Sequence, residues 1–247
     1  MLDAHMHINQ NPEPDFADRS IHFFLNAVSP REWEPIQLLA DSNPNVTPFF
    51  GIHPWYITEA AGSNWEKNLS ARLKIPGTCA GEMGLDRSYA AKNSSNNDMA
   101  IQEKYFIRQL ELAFKYGSPL SIHCVHAWEN LFDCLDKILG INTPLPVPAI
   151  LHYFMGSREI ADRLIESGFY LSFAPGLHRA GKKRINAFRH CNPDKMLLET
   201  DSSLGGSKML LTQHYNKCAE LLKIPGASLI RIIEKNGQIF KNKKNTG

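Results

Sequence analysis

Short apolar runs alternate with longer amphipathic stretches from one end of the chain to the other. The runs are Met1–Met6, Ile21–Val28, Thr47–Ile52, Thr78–Met83, Pro119–Cys124, Pro148–Tyr153, Phe169–Phe173 and Lys195–Thr200. They lack the strict polar alternation of a half-exposed sheet, which predicts parallel strands buried on both faces. Between them, Pro30-Arg31-Glu32 places a proline early in a helix, where its missing N–H matters least. Asp98 to Tyr116 predicts the clearest helix, with Phe106, Leu110 and Ala113 on one face and Gly117-Ser118-Pro119 as its stop. Ser157 opens another that ends at Gly168, and Pro225-Gly226 splits the tail into helices over Lys208–Lys223 and Ala227–Phe240. Strand–helix alternation repeated about eight times predicts an α/β fold, a TIM-type (β/α)₈ barrel. No linker interrupts it, and Lys92 to Asp98 reads as a polar loop, so residues 1–247 are expected to form a single domain.

Composition narrows the class. Of 247 residues, 43% are hydrophobic and 21% charged, which excludes a disordered chain. Lys and Arg number 27 against 25 Asp and Glu, so no whole-chain field points to nucleic acid. One local basic run, His178-Arg179 with Lys182-Lys183-Arg184, follows the seventh strand; it reads as a solvated helix end or as a phosphate-backbone contact. The five cysteines are odd in number and form no CxxC, so a disulfide framework is not expected. The opening Met1-Leu2-Asp3-Ala4-His5 has no secretory pattern, and no run approaches the ~18 apolar residues of a membrane helix. A cytoplasmic location is expected, with no membrane segment and no obligate protein partner.

The carboxyl ends of barrel strands meet at one face, where active sites form. The predicted ends carry Asp3, His5 and His7, then His53 and Trp55, Glu82, His123, His152, and Asp201 with Glu199 just before it. His5 and His7 are two apart, so on a strand both rings face the same side. With Glu82 and Asp201 they make a mixed nitrogen and oxygen set for one cation. His123 and His152 could hold a second, with Glu82 bridging. Two cations ~3.5–4 Å apart activate a water and clamp a phosphoryl group, and such ligands suit Zn²⁺, Mn²⁺ or Mg²⁺. Blander readings stand beside these. Asp201 could be a helix cap, His53 could serve only to fix the Pro54-Trp55 turn, Cys124 reads as core, and Gln102, Phe106 and Gln109 read as helix packing. Lys241 to Asn245 reads as a frayed end.

These residues resemble the TatD family of metal-dependent hydrolases, within the amidohydrolase superfamily. The resemblance begins at Asp3-Ala4-His5-Met6-His7 and runs through Gly51-Ile52-His53-Pro54-Trp55 and Gly81-Glu82-Met83-Gly84-Leu85-Asp86. It continues through Gln102, Phe106 and Gln109, Ile122-His123-Cys124, His152 to Ser157, Leu198-Glu199-Thr200-Asp201 and Asn236 to Phe240. The ordered set is specific where each motif alone is weak. It implies a barrel, metal-dependent hydrolysis and deoxyribonuclease action, often as a 3′-to-5′ exonuclease. By that resemblance His5 and His7 hold the first metal, Glu82 bridges, His123 and His152 hold the second, Asp201 is the terminal aspartate and Asp3 supports. Two positions depart: Cys124-Val125 stands where a Ser-Arg-like pair is frequent, and Ser203 where a proline is frequent. Both bear on substrate more than on metal. The expectation is a two-metal hydrolase of phosphodiesters, DNA first, with Asp201 and Glu82 catalytic and His53 touching substrate. The alternatives are a hydrolase of a small amide, ester or phosphomonoester, and a metal-bound nucleic-acid-binding module without turnover.

Overall fold

The computed structural model describes residues 1–8, 16–202 and 208–241. Eight parallel strands follow chain order around one sheet: β1 (Leu2–Met6), β2 (His22–Asn26), β3 (Val46–Phe50), β4 (Cys79–Asp86), β5 (Leu120–Val125), β6 (Ala149–Leu151), β7 (Phe169–Phe173) and β8 (Met196–Leu198). Beyond β8 the chain returns to β1. The Asp201 N–H donates to the His5 carbonyl at 3.0 Å and the His7 N–H to that of Ser202 at 3.2 Å. These bonds nearly close the sheet into a barrel. Leu2, Phe23, Phe49, Ile122, Leu151, Leu171 and Leu197 on its strands are buried, as expected when helices cover a parallel sheet.

The helices fall where the pattern allows a cap and an apolar face. They are α1 (Pro30–Ser42), α2 (Ile57–Ala60), α3 (Trp65–Leu73), α4 (Arg87–Lys92), α5 (Met99–Lys115), α6 (Trp128–Leu139), α7 (Arg158–Glu166), α8 (Lys182–His190), α9 (Lys208–Leu222) and α10 (Gly226–Lys241). Pro30 takes the first position of α1. The Asp98 carboxylate caps α5 by accepting from the Ile101 N–H at 2.9 Å. Phe106, Leu110 and Ala113 then press its apolar face on the barrel.

Three strands end elsewhere than the sequence reading placed them, and all three shape the site. The fourth strand runs on to Asp86, so Glu82 lies in its middle rather than at its end. The β4–β5 register shifts between Ala80 and Met83, and a bulge there re-aims the intervening side chain toward the axis. Conversely β6 and β8 are only three residues long, leaving His152 and Asp201 in the turns beyond them. Asp201 (φ 47°) and its counterpart after His152, Tyr153 (φ 46°), adopt the left-handed conformation that turns the chain across the barrel mouth. Among the described residues no helix is long and apolar enough to cross a membrane. Ser203 and the residues after Lys241 lie outside the described residues.

Candidate metal centre

Glu82 stands at the centre of the barrel mouth, 2% exposed, with imidazoles around both its oxygens. Its Oε2 faces His5 Nε2 and His7 Nε2, each at 3.4 Å, and those two nitrogens are 3.2 Å apart. Its Oε1 faces His152 Nε2 at 2.8 Å and His123 Nδ1 at 3.1 Å, and that second pair is also 3.2 Å apart. Asp201 Oδ1 completes the first group at 3.5 Å from His7 Nε2. Donors bonded at 2.0–2.1 Å to one tetrahedral ion stand about 3.3 Å from one another. The observed spacings are close to that edge on both sides of Glu82, so the donor set fits divalent ions. The six side chains expected from sequence as metal ligands therefore lie together there.

The far side of each ring is also fixed. His5 Nδ1 pairs with Ser121 Oγ at 3.0 Å and His7 Nδ1 donates to the Asn26 carbonyl at 3.0 Å. His123 Nε2 faces Asp86 Oδ2 at 3.5 Å and His152 Nδ1 faces Glu199 Oε1 at 3.5 Å. Such outer partners hold the ring angle and raise ligand basicity. Asp3 points elsewhere. Its two oxygens accept from the Thr200 N–H at 2.9 Å and the Thr200 hydroxyl at 2.7 Å, lashing β1 to the segment that carries Asp201. Burial lifts the Asp3 carboxyl to about 7, against the pull of Thr200.

His53 behaves differently from the other imidazoles. Its Nδ1 accepts the Trp55 backbone N–H at 3.2 Å, so the neutral ring carries its proton on Nε2, the atom 3.4 Å from Glu82 Oε1. Burial pushes its pKa well down, which keeps the ring neutral. Burial also opposes charge on Glu82, yet His53, His152 and His5 hold that carboxyl well below its usual range. Burial alone would lower His7, but Asp201 and Glu82 lift it to about 9. The carboxylates thus demand positive charge at the atoms facing them.

Several residues quoted from the sequence without a part in the site take one in the structure. Asp86 accepts the Trp55 indole N–H at 2.8 Å while its other oxygen caps α4 through the Tyr89 N–H at 2.9 Å. Gln102 and Gln109 do more than pack. Gln102 brackets the Asp86 backbone, accepting from its N–H at 2.7 Å, and Gln109 does the same at Ile52 at 2.7 Å. Two buried polar side chains on the apolar face of α5 were the available signal. A separate group, His178, His214 and Cys218, is closed by hydrogen bonds. His214 Nε2 donates to the Phe173 carbonyl at 2.7 Å, so its Nδ1 accepts from His178 Nε2 at 2.7 Å.

Two cavities share His123, His152 and Asp201 as lining. One, about 1110 Å³, opens over Val28, Pro35 and Leu39, with Arg31 and Trp55 at its walls. The other, about 380 Å³, is lined by His126, Tyr153 and Arg184. The basic run after β7 is exposed at Arg179, Lys182, Lys183 and Arg184, and of these Arg184 borders the smaller cavity.

A barrel with imidazole and carboxylate donors converging at its carboxyl mouth defines a class, the metal-dependent hydrolases of this architecture. The family model described as TatD related DNase matches residues 2–240, and the chain belongs to that family. It is 28% identical over 217 residues to the metal-dependent hydrolase YabD of Bacillus subtilis, covering 81% of this chain and 79% of that one. It is 26% identical over 262 residues to the human deoxyribonuclease TATDN3, covering 95% and 90%. It is also 28% identical over 180 residues to the 3′-5′ ssDNA/RNA exonuclease TatD of Escherichia fergusonii, covering 72% and 66%. Among solved structures, the TatD homologue YjjV of Escherichia coli superposes with a TM-score of 0.81 at 19% identity over 98% of this chain and 97% of that one, which speaks to the fold.

Proposed function

We propose that the protein hydrolyses phosphodiester bonds in nucleic acid, DNA first, with two divalent cations at the barrel mouth. The observation that carries this reading is the division of Glu82: each oxygen faces its own histidine pair at ligand-edge spacing. His5, His7 and Asp201 would hold one cation and His123 and His152 the other, with Glu82 available to both. The cations, when bound, supply the charge that polarises the phosphoryl oxygens and activates water. Zn²⁺, Mn²⁺ and Mg²⁺ all accept this nitrogen and oxygen set.

The chain's own groups do the rest. Asp201, partly open to the cavity with its side chain 27% exposed, accepts the proton of the attacking water. His53 presents a fixed Nε2–H, so it serves as a hydrogen-bond donor to the substrate rather than as a ligand. Asp3 holds the Asp201 segment in place. The nuclease names of the relatives agree with this substrate class, including the ssDNA/RNA exonuclease and the deoxyribonuclease. By the same resemblance the cleavage runs 3′ to 5′.

One observation favours a second reading. The larger cavity is lined by Val28, Pro35 and Leu39, and among the described residues Arg31 is its one arginine or lysine, which suits a small ester or amide. A panel separates the two. Protein loaded with Mn²⁺ should shorten single-stranded DNA and leave simple amides and phosphomonoesters intact. Turnover of the small substrates with DNA untouched would sink the nuclease reading.

A further inference from the structure

We infer that Trp55 is the stacking platform for a nucleobase of the strand being cut, an inference that rests on the phosphodiester reading above. Trp33 and Trp65 are buried at 2% and 7%, as bulky aromatics usually are, but Trp55 is 46% exposed. It is exposed and yet fixed at every edge. The indole N–H donates to Asp86 Oδ2 at 2.8 Å. The ring lies nearly parallel to that of Tyr89, with centroids 5.6 Å apart and planes 20° from each other. The Tyr89 hydroxyl donates to the Trp55 carbonyl at 3.3 Å, and Asn97 Nδ2 donates to the neighbouring Pro54 carbonyl at 2.6 Å. The His53 ring meets it edge-on at 5.1 Å.

Holding Asp86 requires only the indole N–H, which a smaller donor would supply. The exposed ring is left unexplained by that contact. Trp55 lines the larger cavity, and its ring centre is 6.5 Å from that of His123, beside Glu82. A flat group resting there is one nucleoside unit from a phosphate at the metal centre. A rigid aromatic face binds any base, because every base has a π-face, and it has already lost the freedom that binding would otherwise remove. The platform therefore gives affinity for a base-bearing strand without sequence preference, and it separates nucleotides from bare phosphate esters.

The test uses the Mn²⁺-loaded full-length enzyme and a short DNA strand in which an abasic tetrahydrofuran residue is moved through each position. Stacking predicts one position at which loss of the base lowers kcat/KM by about 5- to 150-fold. In Trp55→Ala that ratio should fall to about one. Trp55→Ala also frees Asp86, but this slows base-bearing and abasic strands alike and leaves their ratio untouched. Trp55→Phe, which keeps a ring and loses the N–H, should retain most of the ratio while losing overall rate, and Tyr89→Leu should lower the ratio without touching the Asp86 bond. A parent enzyme that cleaves all strands equally, or a ratio unchanged in Trp55→Ala, would overturn the platform alone. A parent that cleaves no strand removes the phosphodiester reading, and the platform with it.

Discussion

Glu199→Gln isolates the support of a single candidate ligand. Glu199 is fully buried, and its Oε1 accepts the Tyr153 N–H at 2.6 Å. That oxygen also lies 3.5 Å from His152 Nδ1, while Oε2 has no hydrogen-bond partner among the described residues. A buried carboxylate of this kind is tolerable only against positive charge. His152 supplies it, and a cation at His152 Nε2 would reinforce it through the ring. Glutamine keeps the volume and the bond from Tyr153 but removes the charge. Losing such an outer carboxylate weakens metal binding 10–100-fold, or about 1.4–2.7 kcal/mol. A separation of 3.5 Å is long for a charge-assisted hydrogen bond, which places the effect near the 10-fold end. Calorimetric titration of metal-stripped parent and variant with Zn²⁺ or Mn²⁺ reads this directly. The account expects one binding step to weaken about 10-fold, the step involving His123 and His152, with the other unmoved and thermal unfolding of the stripped proteins similar. Two unchanged binding steps would refute the reasoning.

Other consequences follow from packing and burial. At Gly84 (φ 152°) a Cβ would meet the His123 carbonyl oxygen at 1.9 Å, so Gly84→Ala must part β4 from β5. Backbone strain and overpacking together predict a loss of about 3–5 kcal/mol, and a parent-like melting temperature would contradict this. Gln109→Leu orphans the Ile52 N–H and carbonyl and should cost about 1–3 kcal/mol for each, read as a lower urea midpoint. Burial lowers His214 from 6.5 to about 4, so the fold favours its neutral form. The unfolded chain then binds more protons between those values. This stabilisation is complete above about pH 6.5 and is lost as pH falls toward 4, by about 3 kcal/mol. His214→Gln should flatten that part of the stability profile between pH 7 and 4.5, and an equally steep profile in the variant would refute the assignment.

Much of the barrel is legible in the sequence because parallel strands covered on both faces leave unbroken apolar runs, as at Phe23–Leu25 and Ala149–Leu151. His5 and His7 are legible for a related reason: a period of two on a strand puts both rings on one side. The place of Glu82 is harder to read. Gly84 breaks the apolar run and suggests a strand end, whereas the missing Cβ is what lets β4 continue to Asp86 against β5. Asp86 and Trp55 meet across 31 residues of chain, and His178 and His214 across 36, so neither pair has a local signature. Gln102 and Gln109 sit where an amphipathic pattern expects apolar packing. Their amides read as exceptions until the backbone groups of Asp86 and Ile52 are seen beside them. Turn conformations such as those of Tyr153 and Asp201 depend on the barrel closing over them.

The sharing of Glu82 between two histidine pairs is tested most directly by counting metal. Elemental analysis of protein purified without chelator, paired with hydrolysis of single-stranded DNA, should find two divalent ions per chain in the parent. Glu82→Gln should hold fewer and lose activity by orders of magnitude while remaining folded. A parent that saturates with one ion or none, or a Glu82→Gln protein that keeps both ions and the parent rate, would contradict the account.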